Sequence, residues 1–219
     1  MADSPRWQGS QRRIGLTGGI ATGKSSAGHW LATVAGLPVL DADRYAREAL
    51  APGSPGARAV LERYGVAVRE PAEAAPGAVE AAMVLDRSAL GRIVFPNPAE
   101  RRWLEQLVHP LVRARFDQQL AAQADAPVLV LMVPLLFEAG LTGLCSEVWL
   151  VDCDEDQQLQ RLIARDHCSE AEARARIAAQ WPLEQKRPLA DCLLNNSGSP
   201  VELVRQLAIA LAMHSDKTA

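Results

Sequence analysis

The chain has 219 residues, a formal net charge of −3 and a hydrophobic content of 48%. This composition is typical of a globular protein, and its slightly acidic balance gives no reason to expect nucleic-acid binding. The four cysteines form no CxxC pair, so the sequence signals neither a zinc knuckle nor a redox dithiol, and free thiols in a reducing cytoplasm are expected.

The first segment, residues 1–12, lacks the apolar h-region of a secretory signal, and we interpret it as a flexible leader. The longest strongly apolar run, residues 128–137, is too short to span a bilayer and contains Pro134. We therefore expect a cytoplasmic protein without nucleic-acid or membrane partners, either a monomer or a weak homo-oligomer.

Strand and helix patterns alternate along much of the chain. A helical pattern covers residues 24–35, and short apolar runs predict strands at residues 13–16, 37–40, 128–133, 148–151 and 192–194. Apolar runs without polar alternation are typical of strands that are buried on both faces. The pattern predicts an α/β fold of three layers, with a central parallel sheet covered by helices.

Residues 45–123 interrupt this alternation and are too long for a simple connection. Within them, residues 67–79 are rich in Ala, Pro and Glu and predict a surface loop. An amphipathic helix is predicted further on, because its apolar residues recur at helical spacing: Trp103, Leu104, Leu107, Val108, Leu111 and Val112. We expect Pro110 to kink or split that helix near His109, and we interpret the whole region as a helical lobe on the sheet.

A glycine-rich turn follows the first predicted strand. Gly18, Gly23, Lys24 and Ser25 match the pattern G-x-x-x-x-G-K-[ST] between a strand and a helix. The backbone N–H groups of such a turn converge on phosphate oxygens at a helix N-terminus. Lys24 would reach the β- and γ-phosphates and Ser25 would be a ligand of Mg²⁺. We call residues 18–26 the phosphate turn, and it predicts a nucleoside triphosphate site.

Other features restrict the reaction. The sequence has no N-K-x-D guanine motif, and the strand at 128–133 runs into Pro134 rather than an acidic residue. A small-molecule kinase is therefore favoured over a switch GTPase or a motor ATPase. Asp41 and Asp43 follow the second strand, where parallel sheets place their ligand crevice, and would share one side if the strand continued. One of them could orient an acceptor hydroxyl, although capping of the next helix is an alternative.

Residues 161–187, which we call the arginine segment, are rich in basic side chains. Arg161 and Arg165 are four residues apart and so share a helix face. Arginine suits the oxygens of a transferring phosphoryl group, and a mobile lid at residues 155–187 could carry it and exclude water. The alternative is a solvated surface on which the arginines pair with neighbouring carboxylates.

These residues together resemble one family, the dephospho-coenzyme A kinases. The stretches that carry the resemblance are "IGLTGGIATGKSS", "VLDADRYARE", "IVFPNPAERRWLEQLVHPLVR", "VPLLFEAGL", "RLIARD" and "ADCLLNNSGS". The resemblance implies a P-loop core at residues 13–44, 124–154 and 188–219, a helical CoA-binding lobe at 45–123 and a small helical lid at 155–187. It also implies ATP with Mg²⁺, and dephospho-CoA as the acceptor through its ribose 3′-hydroxyl.

The resemblance also assigns site residues. It implies catalytic roles for Asp43, Lys24 and Arg165. The nucleotide-binding residues that it implies are Gly18, Gly19, Ala21, Thr22, Gly23, Lys24, Ser25, Ser26, Arg161, Asn196 and Gly198, with Ser25 on the metal. The substrate side that it implies comprises Thr17, Asp41, Asp43, His109 and Glu138.

Several alternatives stay open. His109 could instead be a capping or core histidine, and Glu138 could begin a surface helix. The family's usual Gly-Ser pair is here Ala21–Thr22, and an alanine cannot adopt a positive φ without strain, so altered affinity is expected at most. The rival functions are a nucleoside monophosphate kinase and a nucleotide-binding module that does not turn over.

Overall fold

The computed structural model describes residues 5–70, 84–94 and 96–213. Its strands are β1 (Arg12–Gly18), β2 (Val39–Asp41), β3 (Val128–Met132), β4 (Glu147–Asp152) and β5 (Cys192–Asn195). Its helices are α1 (Lys24–Thr33), α2 (Ala42–Ala49), α3 (Pro55–Tyr64), α4 (Arg87–Val94), α5 (Pro98–Ala122), α6 (Glu155–Asp166), α7 (Glu170–Ala178), α8 (Leu183–Lys186) and α9 (Pro200–Met213). The surface loop predicted at residues 67–79 lies outside the described residues from position 71 on.

The chain divides into two units, one formed by Met1–Asp41 and Gln123–Ala219 and the other by Ala42–Ala122. In the described part of the first unit, the five strands form one sheet in the order β2-β3-β1-β4-β5. Each neighbouring pair is parallel, and helices lie on both sides of the sheet. The predicted three-layer α/β fold is confirmed.

The core of the first unit follows from its apolar strands. Ile14 and Leu16 of β1 and Trp149 of β4 are fully buried, and Leu31 of α1 and Leu207 of α9 pack with them. The same packing holds the C-terminal end of β1 in place, and the phosphate turn begins there. The sheet therefore fixes the point from which the turn leaves.

The N-terminal segment is attached to this core from Arg6 onward. The Trp7 backbone N–H donates to the Cys145 carbonyl at 3.0 Å, and the guanidinium of Arg13 lies 3.5 Å from the centre of the Trp7 ring. Buried Gln11 donates from its side chain to the carbonyls of Gln123 and Ala126. The prediction of a flexible leader is therefore wrong for this stretch, because an aromatic ring and a buried amide anchor it.

The second unit contains α2 to α5. The Tyr45 and Phe116 rings pack edge to face at 5.0 Å, and the Ser54 side chain caps α3 by accepting from Ala57 N–H. Helix α5 runs unbroken through Pro110, so of the kink or split expected near His109, the split is wrong. Proline removes one backbone donor, but Val108 before it and Phe116 after it are buried, and packing of both halves offsets that loss.

Candidate active site

The phosphate turn joins β1 to α1. Thr22, in the middle of the turn, is buried and donates through Oγ1 to the Gly19 carbonyl at 2.9 Å. Gly23 occupies the N-cap of α1 with a φ of 100°, and no side chain caps this helix. The helix therefore begins with its backbone donors and its dipole unblocked by a capping side chain, an arrangement that suits an anionic phosphate.

Lys24 and Ser25 lie on the first turn of α1. Lys24 is 7% exposed and Ser25 is exposed. Among the described residues, no group of three or more His, Cys, Asp or Glu side chains could hold a metal ion. A serine hydroxyl fits Mg²⁺ nevertheless, because this ion keeps several waters and is usually held by few protein oxygens together with the phosphates of its substrate.

Ala21 has a φ of 60°. This left-handed conformation costs a residue with a Cβ atom about 1 kcal/mol or more, so the strain expected for an alanine in a positive-φ position is present. The Ala21 and Ile20 side chains pack against Leu159, Leu162 and Ala173 of α6 and α7. That apolar contact helps to retain the strained conformation.

Three side-chain amides hold the outer backbone groups of the turn. Gln158 Nε2 donates to the Ile20 carbonyl at 2.8 Å, and the Ile20 N–H donates to Gln180 Oε1 at 2.9 Å. Asn196 Nδ2 donates to the Thr22 carbonyl at 2.8 Å. Asn196 was predicted as a residue of the nucleotide site, and here it contacts the turn itself.

Sequence reasoning missed Gln158 and Gln180. Gln158 is 3% exposed and shares the buried stripe of α6 with Leu159 and Leu162. A polar side chain at a buried helical position usually has a specific hydrogen-bond partner. That interruption of the apolar stripe is the signal that could have identified Gln158, whereas Gln180 lies between two helices and has no such pattern.

The two aspartates belong to different units, Asp41 to the first and Asp43 to the second. Strand β2 ends at Asp41 and α2 begins at Ala42, with Asp43 exposed in its first turn. Because the strand does not continue, strand alternation does not place the two carboxylates on one side. Asp43 is favourably placed for the dipole of α2, and His109 is an exposed residue of α5.

The arginine segment is bonded to its own carboxylates. Arg165 donates to both carboxylate oxygens of Asp166, at 2.7 and 3.1 Å, and Arg176 donates to the same carboxylate at 2.8 Å. The hydrogen bond from Arg165 lowers the pKa of Asp166 below its ordinary value. Arg165 is thus paired on the surface in this structure, as the alternative interpretation expected.

Arg161 lies beside the loop that contains Asn196. It donates from Nη2 to the Asn196 carbonyl at 2.9 Å, while its buried Nη1 has no hydrogen-bond partner among the described residues. Gly198 lies in the same loop and is exposed. These residues put a guanidinium next to the backbone that follows β5.

Glu138 and Thr17 make contacts inside the first unit. Glu138 lies 2.7 Å from Lys186 Nζ, whose side chain is fully buried, and accepts from the Trp181 N–H at 3.1 Å. It lies in a turn, so the interpretation as a surface helix start is wrong. Buried Thr17 donates from Oγ1 to the Pro134 carbonyl at 3.1 Å.

A cavity of about 370 Å³ adjoins the phosphate turn within the first unit. It is lined by Gly19, Gln158 and Gln180 and by further residues of α6, α7 and α8. The helices that carry the arginine segment therefore enclose space directly beside the turn.

Comparison with known proteins identifies relatives. A family model described as CoaE, dephospho-CoA kinase, matches residues 12–202. The chain is 66% identical over 191 residues to a dephospho-CoA kinase of Synechococcus sp. (strain CC9605), covering 87% of both chains. It is 58% identical to a dephospho-CoA kinase of Prochlorococcus marinus (strain MIT 9313), covering 89% of this chain and 93% of the relative.

Solved structures agree with the fold. The crystal structure of TT1252 from Thermus thermophilus has a TM-score of 0.74 and 36% identity, covering 94% of this chain and all of that one. The dephospho-CoA kinase from Campylobacter jejuni has a TM-score of 0.65 and 23% identity, covering 94% of this chain and 98% of that one. The second likeness supports the fold alone.

Proposed function

The chain belongs to the dephospho-CoA kinase family, and on that premise we propose that it transfers the γ-phosphoryl group of ATP to the ribose 3′-hydroxyl of dephospho-CoA, giving coenzyme A and ADP. The observation that carries the proposal is the phosphate turn, which opens α1 with a left-handed Gly23 and with Lys24 directly after it. Such a turn binds phosphate through backbone donors and a helix dipole.

In this proposal ATP supplies the phosphoryl group, and Mg²⁺, when bound, would neutralise charge on its phosphates. The backbone N–H groups from Ala21 to Ser26 would bind the phosphates, Lys24 would contact the β- and γ-phosphates, and the Ser25 hydroxyl would be a ligand of Mg²⁺. Positioning and electrostatic stabilisation then provide most of the rate, because phosphoryl transfer asks little covalent chemistry of the protein.

Two residues outside the turn complete the proposed mechanism. Arg165 exchanges Asp166 for the moving phosphoryl group, and Asp43 orients the acceptor hydroxyl and accepts its proton. Asp41, His109, Glu138 and Thr17 are proposed on the acceptor side, and Arg161, Asn196 and Gly198 beside the nucleotide. The pairing of Arg165 with a surface carboxylate supports such an exchange, since exposed ion pairs are weak.

We place the reaction in the cytoplasm, with dephospho-CoA as a small-molecule partner. The four cysteines are free, as expected in a reducing compartment, and burial raises the pKa of the Cys145 thiol to about 12. None of the helices in the described part of the chain is long and apolar enough to cross a membrane.

A coupled assay of ADP release tests the proposal, with dephospho-CoA compared against AMP, CMP and UMP. We expect turnover with dephospho-CoA alone, and the product should carry a 3′-phosphate. Equal or greater turnover of a monophosphate would contradict the substrate assignment and favour a nucleoside monophosphate kinase.

Asp43→Asn separates an enzyme from a binding module. We expect the variant to bind ATP as the unmodified chain does while its phosphoryl transfer falls by about a hundredfold, because the amide cannot accept the hydroxyl proton. Calorimetry measures the binding and the coupled assay measures the transfer. If the unmodified chain transfers to no acceptor at all, the binding module is the better account.

A further inference from the structure

Side chains hold two successive peptide groups of the phosphate turn, the first at both its N–H and its C=O and the second at its C=O. In a trans peptide the N–H and the C=O point in opposite directions. In the Gly19–Ile20 peptide, the N–H donates to Gln180 Oε1 at 2.9 Å, and the opposite carbonyl accepts from Thr22 Oγ1 at 2.9 Å. The orientation of this peptide is therefore fixed by partners at each end.

The next peptide, Ile20–Ala21, is fixed through its carbonyl. Gln158 Nε2 donates to the Ile20 carbonyl at 2.8 Å, so the Ala21 N–H must point the other way. Asn196 repeats the arrangement two residues later, because its bond to the Thr22 carbonyl turns the Gly23 N–H to the opposite side. Side-chain amides thus hold the Ile20 and Thr22 carbonyls on the outside of the turn. The N–H groups of Ala21 and Gly23 therefore face the inside of the turn.

Backbone strain at Ala21 favours a rotation of the Ile20–Ala21 peptide. A rotation of this peptide by about 180° would carry φ of Ala21 from 60° to about −120°, out of the positive range that is unfavourable for a residue with a Cβ atom. The rotation would relieve the strain that a Cβ atom suffers in the left-handed region. It would also replace the inward Ala21 N–H by the Ile20 carbonyl, whose partial negative charge repels phosphate.

Gln158 is well placed to prevent that rotation. Its side chain is 3% exposed, on a helix whose Leu159 and Leu162 are also buried. A Cβ atom added to Gly19 would lie 2.6 Å from Gln158 Nε2, so the amide is in close contact with the turn. After rotation, the buried Nε2 would lose its acceptor, and leaving a buried donor unsatisfied is energetically costly.

We propose that Gln158 is a positioning residue of the kinase reaction: it holds the Ile20–Ala21 peptide so that the strained Ala21 presents its N–H to the triphosphate. The proposal rests on the proposed function only in taking the ligand of the turn to be a nucleotide phosphate. It also explains how this chain uses alanine at a position whose φ favours glycine.

A double-mutant cycle between Gln158→Met and Ala21→Gly tests this role. Methionine keeps the length of the side chain but cannot donate, and glycine removes the strain. With Ala21 present, Gln158→Met should weaken binding of a non-hydrolysable ATP analogue about tenfold, as expected for one lost hydrogen bond and a reoriented peptide. In the Ala21→Gly background the same change should weaken binding about twofold or less. Titration calorimetry measures the four dissociation constants.

The cycle distinguishes positioning from a merely structural role. If Gln158 only stabilises the fold, its replacement weakens binding by the same factor in both backgrounds, and that result overturns the proposal. Gln160→Met is the matched control, because Gln160 lies on the same helix and is exposed, and it should leave binding unchanged. If Gln158→Met does not fold, Gln158→Asn, whose shorter amide cannot reach Ile20, takes its place with the same expected outcomes.

The outcome is independent of the substrate assignment. The cycle measures nucleotide binding without turnover, so it can succeed or fail whether or not dephospho-CoA is the acceptor. Failure of the unmodified chain to phosphorylate dephospho-CoA would overturn the proposed function alone. Equal losses in the two backgrounds would overturn the role of Gln158 alone.

Discussion

The phosphate turn and the arginine segment both carry groups suited to phosphate oxygens, but they are held in different ways. Buried Thr22 and the side-chain amides of Gln158 and Asn196 bond the outer carbonyls of the turn. The exposed side chains of Arg165 and Arg176 instead share one carboxylate, Asp166.

The difference has a physical meaning. Buried hydrogen bonds are costly to break and therefore fix a geometry before any ligand arrives. Exposed ion pairs contribute at most about 1 kcal/mol and can be exchanged for another partner. The turn thus provides a preformed binding shape, whereas the exposed pairing of Arg165 and Arg176 with Asp166 can be exchanged for pairing with another anion.

The largest effect should come from the turn. Lys24→Met removes an ammonium that is 7% exposed at the start of α1. We expect kcat/KM to fall about a thousandfold, because electrostatic stabilisation in a water-poor site is hard to replace. The coupled assay measures the fall, and a thermal melt confirms folding. A loss of less than about tenfold would mean that the turn binds phosphate through its backbone alone.

The C-terminal end of the arginine segment departs from this contrast, because its ion pair is buried rather than exposed. Lys186 has a fully buried side chain with Glu138 Oε1 2.7 Å from its Nζ. Glu138→Gln leaves this ammonium without a carboxylate, and we expect unfolding to become easier by about 3 kcal/mol. Urea denaturation measures the change.

Two further variants test that anchor. Glu184→Gln, at an exposed neighbour in α8, should leave the urea midpoint unchanged. The double variant Glu138→Gln with Lys186→Met should recover most of the lost stability, since replacing both members of a buried pair is often close to neutral. If the double variant is less stable than Glu138→Gln alone, the unpaired charge of Lys186 is not the cause of the lost stability.

The sequence predicted those parts of the molecule whose structure depends on residues close together in the chain. The phosphate turn was identified from glycine spacing, and β1, β3 and β4 from continuous apolar runs. The Gln158 and Gln180 contacts with Ile20 join residues 138 and 160 positions apart, and only the fold brings them together. Pro110 and Trp7 show the same limit, because tertiary packing decided the continuity of α5 and the attachment of the N-terminal segment.

Arg165 should give the next effect and tests whether the segment supplies charge to the reaction. Arg165→Met should lower kcat about a hundredfold while KM for ATP changes less than about threefold, since the guanidinium acts mainly in the transition state. Arg174→Met is the matched control, because Arg174 is also exposed and forms an ion pair with Glu170 within α7. Equal losses in kcat for both variants would contradict a specific role for Arg165.

The smallest effect concerns the strength with which Asp166 holds Arg165. The pKa of Asp166 is lowered chiefly by the hydrogen bond from Arg165, so the pair stabilises the fold above the ordinary aspartate pKa. That stability is lost as the pH falls through the lowered value. Asp166→Asn should therefore lower the melting temperature slightly at pH 7, and the difference from the unmodified chain should vanish in acid.

Thermal melts from pH 7 down to about pH 2, well below the ordinary aspartate pKa, measure the contribution of this pair. Asp117→Asn, whose pair with Arg113 lies in the other unit, shows what an ordinary surface pair contributes. We expect the Arg165–Asp166 and Arg113–Asp117 pairs each to contribute below about 1 kcal/mol to stability, since Arg165 has half of its side chain in solvent. A contribution from Asp166 above about 2 kcal/mol, beyond the range of exposed pairs, would contradict exchange. Arg165 would then be fixed on the surface as firmly as Gln158 is fixed on the turn.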